Sequence, residues 1–243
     1  MAYKYIWHKN QQPNYDTIGT RWAENDIILL AKQSGSGYNF SHIPVAEKAL
    51  LLKDIEEDRF FYEQIPHGQP VKPYVDLDWN TSSVDVDILH PFFEFYQGCV
   101  KKYLGVDVSI EDFCILQSPI PGKKVSYHLI LKSNFFFECN EKQAIFMKFV
   151  RNDFLELPEE HILKTLIPNE GETRKKFIDL TVYSNKRNFR LVNQSKREKR
   201  NPLILAQGTI AESFCRLYAD DDMSQFQAVE PPDVPVLLNP KAK

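Results

Sequence analysis

The sequence predicts an α+β fold, and two observations predict it. Segments whose apolar residues recur at helical spacing mix with short strand-like runs in an irregular order, without the regular strand-helix-strand repeat that builds a parallel sheet. In addition, 43% of the 243 residues are hydrophobic, with 17 Phe, 11 Tyr and 3 Trp against only 9 Gly. That is enough apolar material for one sizeable domain or two modules sharing a core, and it excludes collagen-like, low-complexity and globally disordered chains.

In chain order, residues 1–20 are polar with weak periodicity and read as a loosely attached arm. Ala46 to Tyr62 (AEKALLLKDIEEDRFFY) spaces apolar and charged residues as an amphipathic helix does, and Pro44 supplies a start signal. Pro66 and the following HGQP mark a loop, after which VKPYVDLDW reads as a strand. From Asp87 to Leu104, Leu89, Phe92, Phe93, Tyr96, Val100 and Tyr103 fall on one helical face, with Gly105 as the stop. DFCILQS (112–118) and KVSYHLIL (124–131) are strand-like, joined by Pro/Gly turn chemistry. Asn140 is expected to cap a helix running to about Leu155, and KFIDLTVY (176–183) is expected to be a further strand. One more apolar element lies around Ile204 to Tyr218, and residues 219–243 end in a Pro-rich tail expected to be extended or disordered.

Four cysteines, Cys99, Cys114, Cys139 and Cys215, stand singly, so neither a zinc ribbon nor a disulfide framework is indicated, and a reducing intracellular compartment is expected. The N-terminus lacks a signal-like apolar region and no apolar run approaches a membrane span, so no membrane partner is expected. The formal charge of −3 argues at first against a nucleic-acid partner. Its distribution points the other way: residues 185–200 hold seven Lys/Arg and one Glu, a local +6, which leaves −9 for the rest.

Three constellations carry chemistry. Asp76 and Asp78 are two apart on an expected strand, so both carboxylates share one face, where their repulsion favours a divalent cation between them. A bare D-x-D also occurs in sugar-nucleotide transferases and as solvent-exposed acidic pairs. Lys124, Ser126 and His128 share a face by the same spacing and offer a point charge, a hydroxyl and an imidazole to a phosphate chain. The bland alternative is a histidine hydrogen-bonded at a sheet edge. Asp179 on an expected apolar strand is followed by Asn185, Arg187, Asn188, Arg190 and Lys196, where guanidinium forks suit phosphate. Basic clusters are most often solvated faces, but here an acid precedes one at short range. Together the three sets compose a two-metal phosphoryl-transfer site. His42 and His67 sit beside loop signals without such partners and are set aside.

The order VDLDWN, KVSYHLIL, IDLTVYSNKRNFRLVNQSKREKR resembles motifs I, II and III of the archaeo-eukaryotic primase superfamily, closest to its primase-polymerase branch and relatives in large DNA viruses. Tyr62-Glu63-x-Ile65-Pro66 adds to the resemblance, which covers roughly residues 26–200. It implies a two-module core: a small N-terminal α/β module over 21–66 and an RRM-like mixed sheet carrying the motifs over 67–218. By the same resemblance Asp76, Asp78 and Asp179 would hold two divalent cations, Mg²⁺ or Mn²⁺. Lys124, Ser126, His128, Arg187, Asn188, Arg190 and Lys196 would hold the (d)NTP, with Arg197, Lys199 and Arg200 assigned to the DNA template and primer.

Three features depart from the pattern. Eukaryotic members typically have Asp-x-Glu in the first motif, no Cys/His zinc element is present in these residues, and the Ser34 to Phe40 loop has no Arg. The chain is therefore expected to be the catalytic core of a longer protein, better suited to primer extension than to initiation, with a helicase domain or replication protein as a further partner. The competing reading is a catalytically weak, single-stranded-DNA-binding module of a primase-helicase. A nucleotide-sugar transferase built on D-x-D leaves the Ser-x-His strand unexplained.

Overall fold

The computed structural model describes residues 5–11, 25–57, 60–80, 87–118, 124–167, 173–195 and 201–233. Within them the α+β expectation holds. Strands β1 (Ile27–Ser34) and β2 (Gly37–Pro44) form a hairpin closed by Gly35 and Ser36, and Gly35 takes the positive φ of 61° that such a two-residue turn demands. A 3₁₀ turn (Val45–Glu47) leads into helix α1 (Lys48–Glu57), which buries Leu51 and Ile55.

The expected helix runs too far. Phe61 and Tyr62 belong to β3 (Phe61–Ile65), whose five residues are all buried. β3 lies between β1 and β8 (Arg187–Arg190) in an antiparallel sheet ordered β2-β1-β3-β8. A strand buried on both faces loses its alternation, so FYEQI merges with the helical pattern before it. Because β8 comes from the basic segment, the first sheet draws on both sides of the boundary drawn at residue 66, and one apolar core runs through both.

The second sheet has the order β4-β6-β5-β9, from β4 (Tyr74–Asn80), β5 (Phe113–Gln117), β6 (Lys124–Leu131) and β9 (Ile204–Gln207). It is antiparallel throughout and not mixed as expected. Helix α2 (Leu89–Leu104) connects β4 to β5, and β6 inserts between those two strands, which is a split β-α-β unit. α2 ends at Gly105 with φ 71°, as the sequence indicates. It packs beside α3 (Asn140–Glu156) through Phe95 on Phe154 and Tyr96 on Phe146. Phe93 and Tyr96 of α2 meet Phe113 of β5, so the helix pair covers one face of this sheet.

Further local corrections follow from where side-chain groups go. Cys139, not Asn140, is the N-cap of α3; Asn140 is its first helical residue and is fully buried. No strand forms over 176–183: helix α5 (Thr173–Phe177), after the short α4 (Ile162–Leu166), gives way to one bridge pairing Ile178 with Leu77, then a 3₁₀ turn (Leu180–Tyr183). The Asp179 side chain accepts from Thr181 N at 2.8 Å and caps that turn, so the chain coils instead of extending. Within the arm, residues 5–11 are attached: Tyr5 Oη donates to Asp54 Oδ2 at 2.8 Å, and Trp7 lies 5.9 Å from the ring of Phe61. The tail is not wholly extended: a 3₁₀ turn (Met223–Gln225) leads into β10 (Phe226–Val229), parallel to β7 (Asn134–Phe137); residues 234–243 lie outside the described residues. No helix among the described residues is long and apolar enough to cross a membrane.

Candidate functional site

β4 shows how the sequence builds the site. Val75, Leu77 and Trp79 are buried on one face, where Trp79 meets Phe177 of α5, itself against Phe92 of α2. The intervening positions Asp76 and Asp78 must then face away from the helices. The β4–β6 register pairs Asp76 with His128 and Asp78 with Ser126, so the acids and the Ser-x-His residues are direct cross-strand neighbours on that face. β8 of the first sheet stands opposite: Phe189 lies 4.9 Å from the Tyr74 ring and 4.3 Å from the His128 ring.

Between the two sheets opens a cleft of about 370 Å³ lined by Asp76, Asp78, Lys124, Ser126, His128 and Asp179, with Arg187, Asn188 and Arg190 on the facing side. Every sequence-predicted site residue among the described residues therefore lines one cleft. Lys196, Arg197, Lys199 and Arg200 lie outside the described residues.

Asp179 reaches the cleft through the edge of β4, its backbone N donating to Asp76 O at 2.9 Å. His128 Nε2 is 3.6 Å from Asp76 Oδ2, and Lys124 Nζ donates to Asp78 Oδ2 at 2.6 Å. Asp78 Oδ1 is buried and has no hydrogen-bond partner among the described residues. Arg187 Nη2 donates to Thr181 Oγ1 at 3.2 Å, which fixes it beside the turn that Asp179 caps. Asn188 Oδ1 accepts from Gln64 Nε2 at 3.1 Å, across β3.

Arg190 is the most enclosed of the basic groups at 9% exposure. Burial lowers its pKa from the ordinary arginine value, and the carboxylates of Asp76 and Asp78, with Tyr62, oppose that shift. Its Nη1 donates to Asn201 O at 3.3 Å while its Nε, also buried, meets no acceptor among the described residues. A guanidinium presents five N–H donors in a fixed fork that is chemically suited to an anion.

Several lining residues carried no sequence signal. Tyr38 and Tyr62 form one wall, edge to face at 5.3 Å, and burial pushes the Tyr62 phenol well above its ordinary value. In the sequence Tyr62 figures as the end of the expected helix and as part of the Tyr62-Glu63-x-Ile65-Pro66 resemblance, with no role at the site. Ser118 and Asn201 lie 83 positions apart and are joined by Asn201 Nδ2 donating to Ser118 Oγ at 2.7 Å. Ser118 could have been found from the β5–β6 hairpin, since its N donates to Ser126 O at 2.9 Å; nothing local marks Asn201.

Three carboxylates offer the hard oxygen donors that Mg²⁺ or Mn²⁺ prefers, and the buried Asp78 Oδ1 is an acceptor without a donor. In chemistry the set fits a divalent cation. In arrangement it is not drawn together, for among the described residues no group of three His, Cys, Asp or Glu side chains is placed to hold a metal ion. Lys124 is the cation that faces Asp78. The chain matches no protein-family model, and no curated protein matches it.

Proposed function

We propose that the chain is the catalytic core of a template-dependent DNA primase-polymerase, transferring a nucleotide from a (d)NTP to a primer 3′-oxygen or an initiating nucleotide. The observation that supports this most is the meeting, in one cleft, of two carboxylates from β4 and that of Asp179, at the head of the Leu180–Tyr183 turn, with a Lys-x-Ser-x-His strand and the Arg-Asn-x-Arg strand β8. Positive and negative groups so interleaved suit a ligand that is itself anionic and comes with cations.

In this reading Lys124, Ser126, His128 and Arg190 hold the triphosphate, and Arg187 and Asn188, fixed by Thr181 and Gln64, orient the nucleotide. Asp76, Asp78 and Asp179 would hold divalent cations, which lower the pKa of the attacking hydroxyl and stabilise the pyrophosphate leaving group. For that, the Lys124 ammonium must turn from Asp78 toward the phosphates, a short move for a side chain whose donors rotate freely. His128, between Asp76 and Phe189, is assigned as a phosphate donor and not as a base.

The Lys124–Asp78 pair also favours a second reading, a nucleic-acid-binding module in which lysine has permanently replaced the cation. A primer-extension assay with Mg²⁺ or Mn²⁺ separates the two. Asp78→Ala and Asp179→Ala are expected to lose at least about a hundredfold in incorporation with unchanged circular dichroism. Wild-type extension by either variant, or an inert wild type that still binds DNA, would overturn the catalytic assignment.

A further inference from the structure

A second cavity of about 650 Å³ lies beyond the carboxylates, sharing Asp78, Lys124 and Asp179 with the first. Beside Trp79, Ile178 and Leu180, its remaining lining holds three basic residues unaccounted for by the nucleotide: Arg151 of α3 and Lys175 and Lys176 of α5. The packing of α5 explains why these lysines face outward. Arg174 is committed to the interior, with Nη1 donating to Glu159 at 2.7 and 2.9 Å and Nε donating to Ile167 O at 2.9 Å. Phe177 is buried against Trp79, Phe92 and Phe154. Of TRKKF, the two residues between these anchors are left exposed at the rim.

Two donors in this lining lack acceptors. Trp79, only 3% exposed, has a buried indole Nε1–H with no hydrogen-bond partner among the described residues, and Arg151 Nε is in the same condition. Both are buried donors that the described residues leave without acceptors, and the exposed Lys175 and Lys176 stand beside them. Four cationic side chains against two carboxylates leave it electropositive even while Lys124 is held by Asp78.

We infer that this second cavity binds the backbone phosphates of the single strand that supplies the 3′-oxygen. The inference rests on the nucleotidyl-transfer reading. In that reaction two phosphate-bearing partners must converge on the same carboxylates from different sides, and the cleft of Ser126, His128 and Arg190 accounts for one of them. The other approaches over Asp78 and Asp179, the wall the two cavities share, and Lys175, Lys176 and Arg151 meet its phosphates.

The same cationic lining could instead receive released pyrophosphate, and the experiment distinguishes the two. Binding of an oligothymidylate about eight nucleotides long is followed by fluorescence anisotropy across a salt series, and binding of inorganic pyrophosphate by calorimetry. Both are measured on the wild-type protein, Lys175→Gln/Lys176→Gln and Arg151→Gln. The double variant is expected to weaken strand binding and to flatten the slope of log K against log salt by about 1.4, at about 0.7 per lost phosphate contact. Arg151→Gln is expected to weaken the strand in the same sense, and pyrophosphate affinity to stay as in the wild type. Loss of pyrophosphate binding, alone or together with the strand, would overturn the inference, as would unchanged strand binding. These are equilibrium measurements, so a protein inert in nucleotide incorporation can still pass or fail them independently of the proposed reaction.

Discussion

Lys124 and Asp78 are each 26% exposed, and their 2.6 Å contact sets the apparent charge of the cleft. A pair this accessible is screened by water and contributes at most about 1 kcal/mol. That is small enough for an incoming cation or phosphate to break. Lys124→Ala removes the competitor for Asp78 and restores the repulsion between Asp76 and Asp78. Mn²⁺ affinity without nucleotide is therefore expected to rise by up to about fivefold, the equivalent of that energy, while (d)NTP affinity falls. A Mn²⁺ titration by electron paramagnetic resonance reads the first effect, and unchanged Mn²⁺ binding would show that Lys124 does not guard the carboxylates. At this scale the sequence was most legible, because period-two spacing alone assigns Asp76 with Asp78, and Lys124 with Ser126 and His128, to common faces. Asn201 and Tyr38 were not legible: their place in the cleft depends on sheet order, which no local pattern encodes.

The elements carrying the carboxylates are tied together behind the cleft by a buried polar network. Tyr74 Oη donates to Asn140 Oδ1 at 2.8 Å, Asn140 Nδ2 donates to Tyr183 O at 3.1 Å, and Tyr183 Oη and Gln143 Nε2 both donate to Tyr74 O at 2.7 Å. β4, the 3₁₀ turn after Asp179 and the start of α3 are thereby held in register. The sequence suggested Asn140 as a cap because Asn is favoured there. The cap falls one residue earlier, and Asn140 serves the tertiary network, a competition between local and long-range bonds that propensity cannot resolve. The strand expected over 176–183 failed for a related reason: the apolar run is real, but Asp179 bonds its own downstream backbone. Asn140→Ala leaves Tyr183 O without its donor and is expected to cost about 1–3 kcal/mol in urea unfolding. Tyr74→Phe, which keeps the backbone acceptor at Tyr74, is expected to cost about 1 kcal/mol. Equal stability of both variants and the wild type would mean that packing alone positions β4.

Across the whole molecule the first sheet is fastened to the segment after β9 by one enclosed carboxylate. Glu63 on β3 is fully buried and accepts from Cys215 N at 2.7 Å, Arg216 N at 3.0 Å and Tyr218 Oη at 2.6 Å. Arg216, buried beside it, donates to Gln69 Oε1 at 2.9 Å and Ile27 O at 3.3 Å. The first sheet and the segment over 215–218 thus share a polar centre within the apolar core, although more than 150 residues separate Glu63 from its partners. That separation kept it out of sight in the sequence, where Glu63 figured only as one letter of a motif.

Burial raises the Glu63 pKa above its ordinary value of 4.5, and the three accepted hydrogen bonds and Arg216 only partly oppose the shift. A carboxyl group with a raised folded pKa binds its proton more tightly in the native state. Its stabilising contribution is fully present below the ordinary value and is lost as pH rises through the folded one. Asp87, whose pKa is lowered by His90 and Leu89 against a desolvation that raises it, acts with the opposite sign and at lower pH, losing its contribution as pH falls. The two effects separate in a difference profile. Glu63→Gln is expected to be less stable throughout, because its amide meets a backbone N–H that needs an acceptor. Its stability should also fall less steeply than that of the wild type as pH rises from about the ordinary carboxylate value. Urea unfolding at a series of pH values measures both slopes, and parallel profiles would show that the donors to Glu63 fully offset its burial and leave no shift.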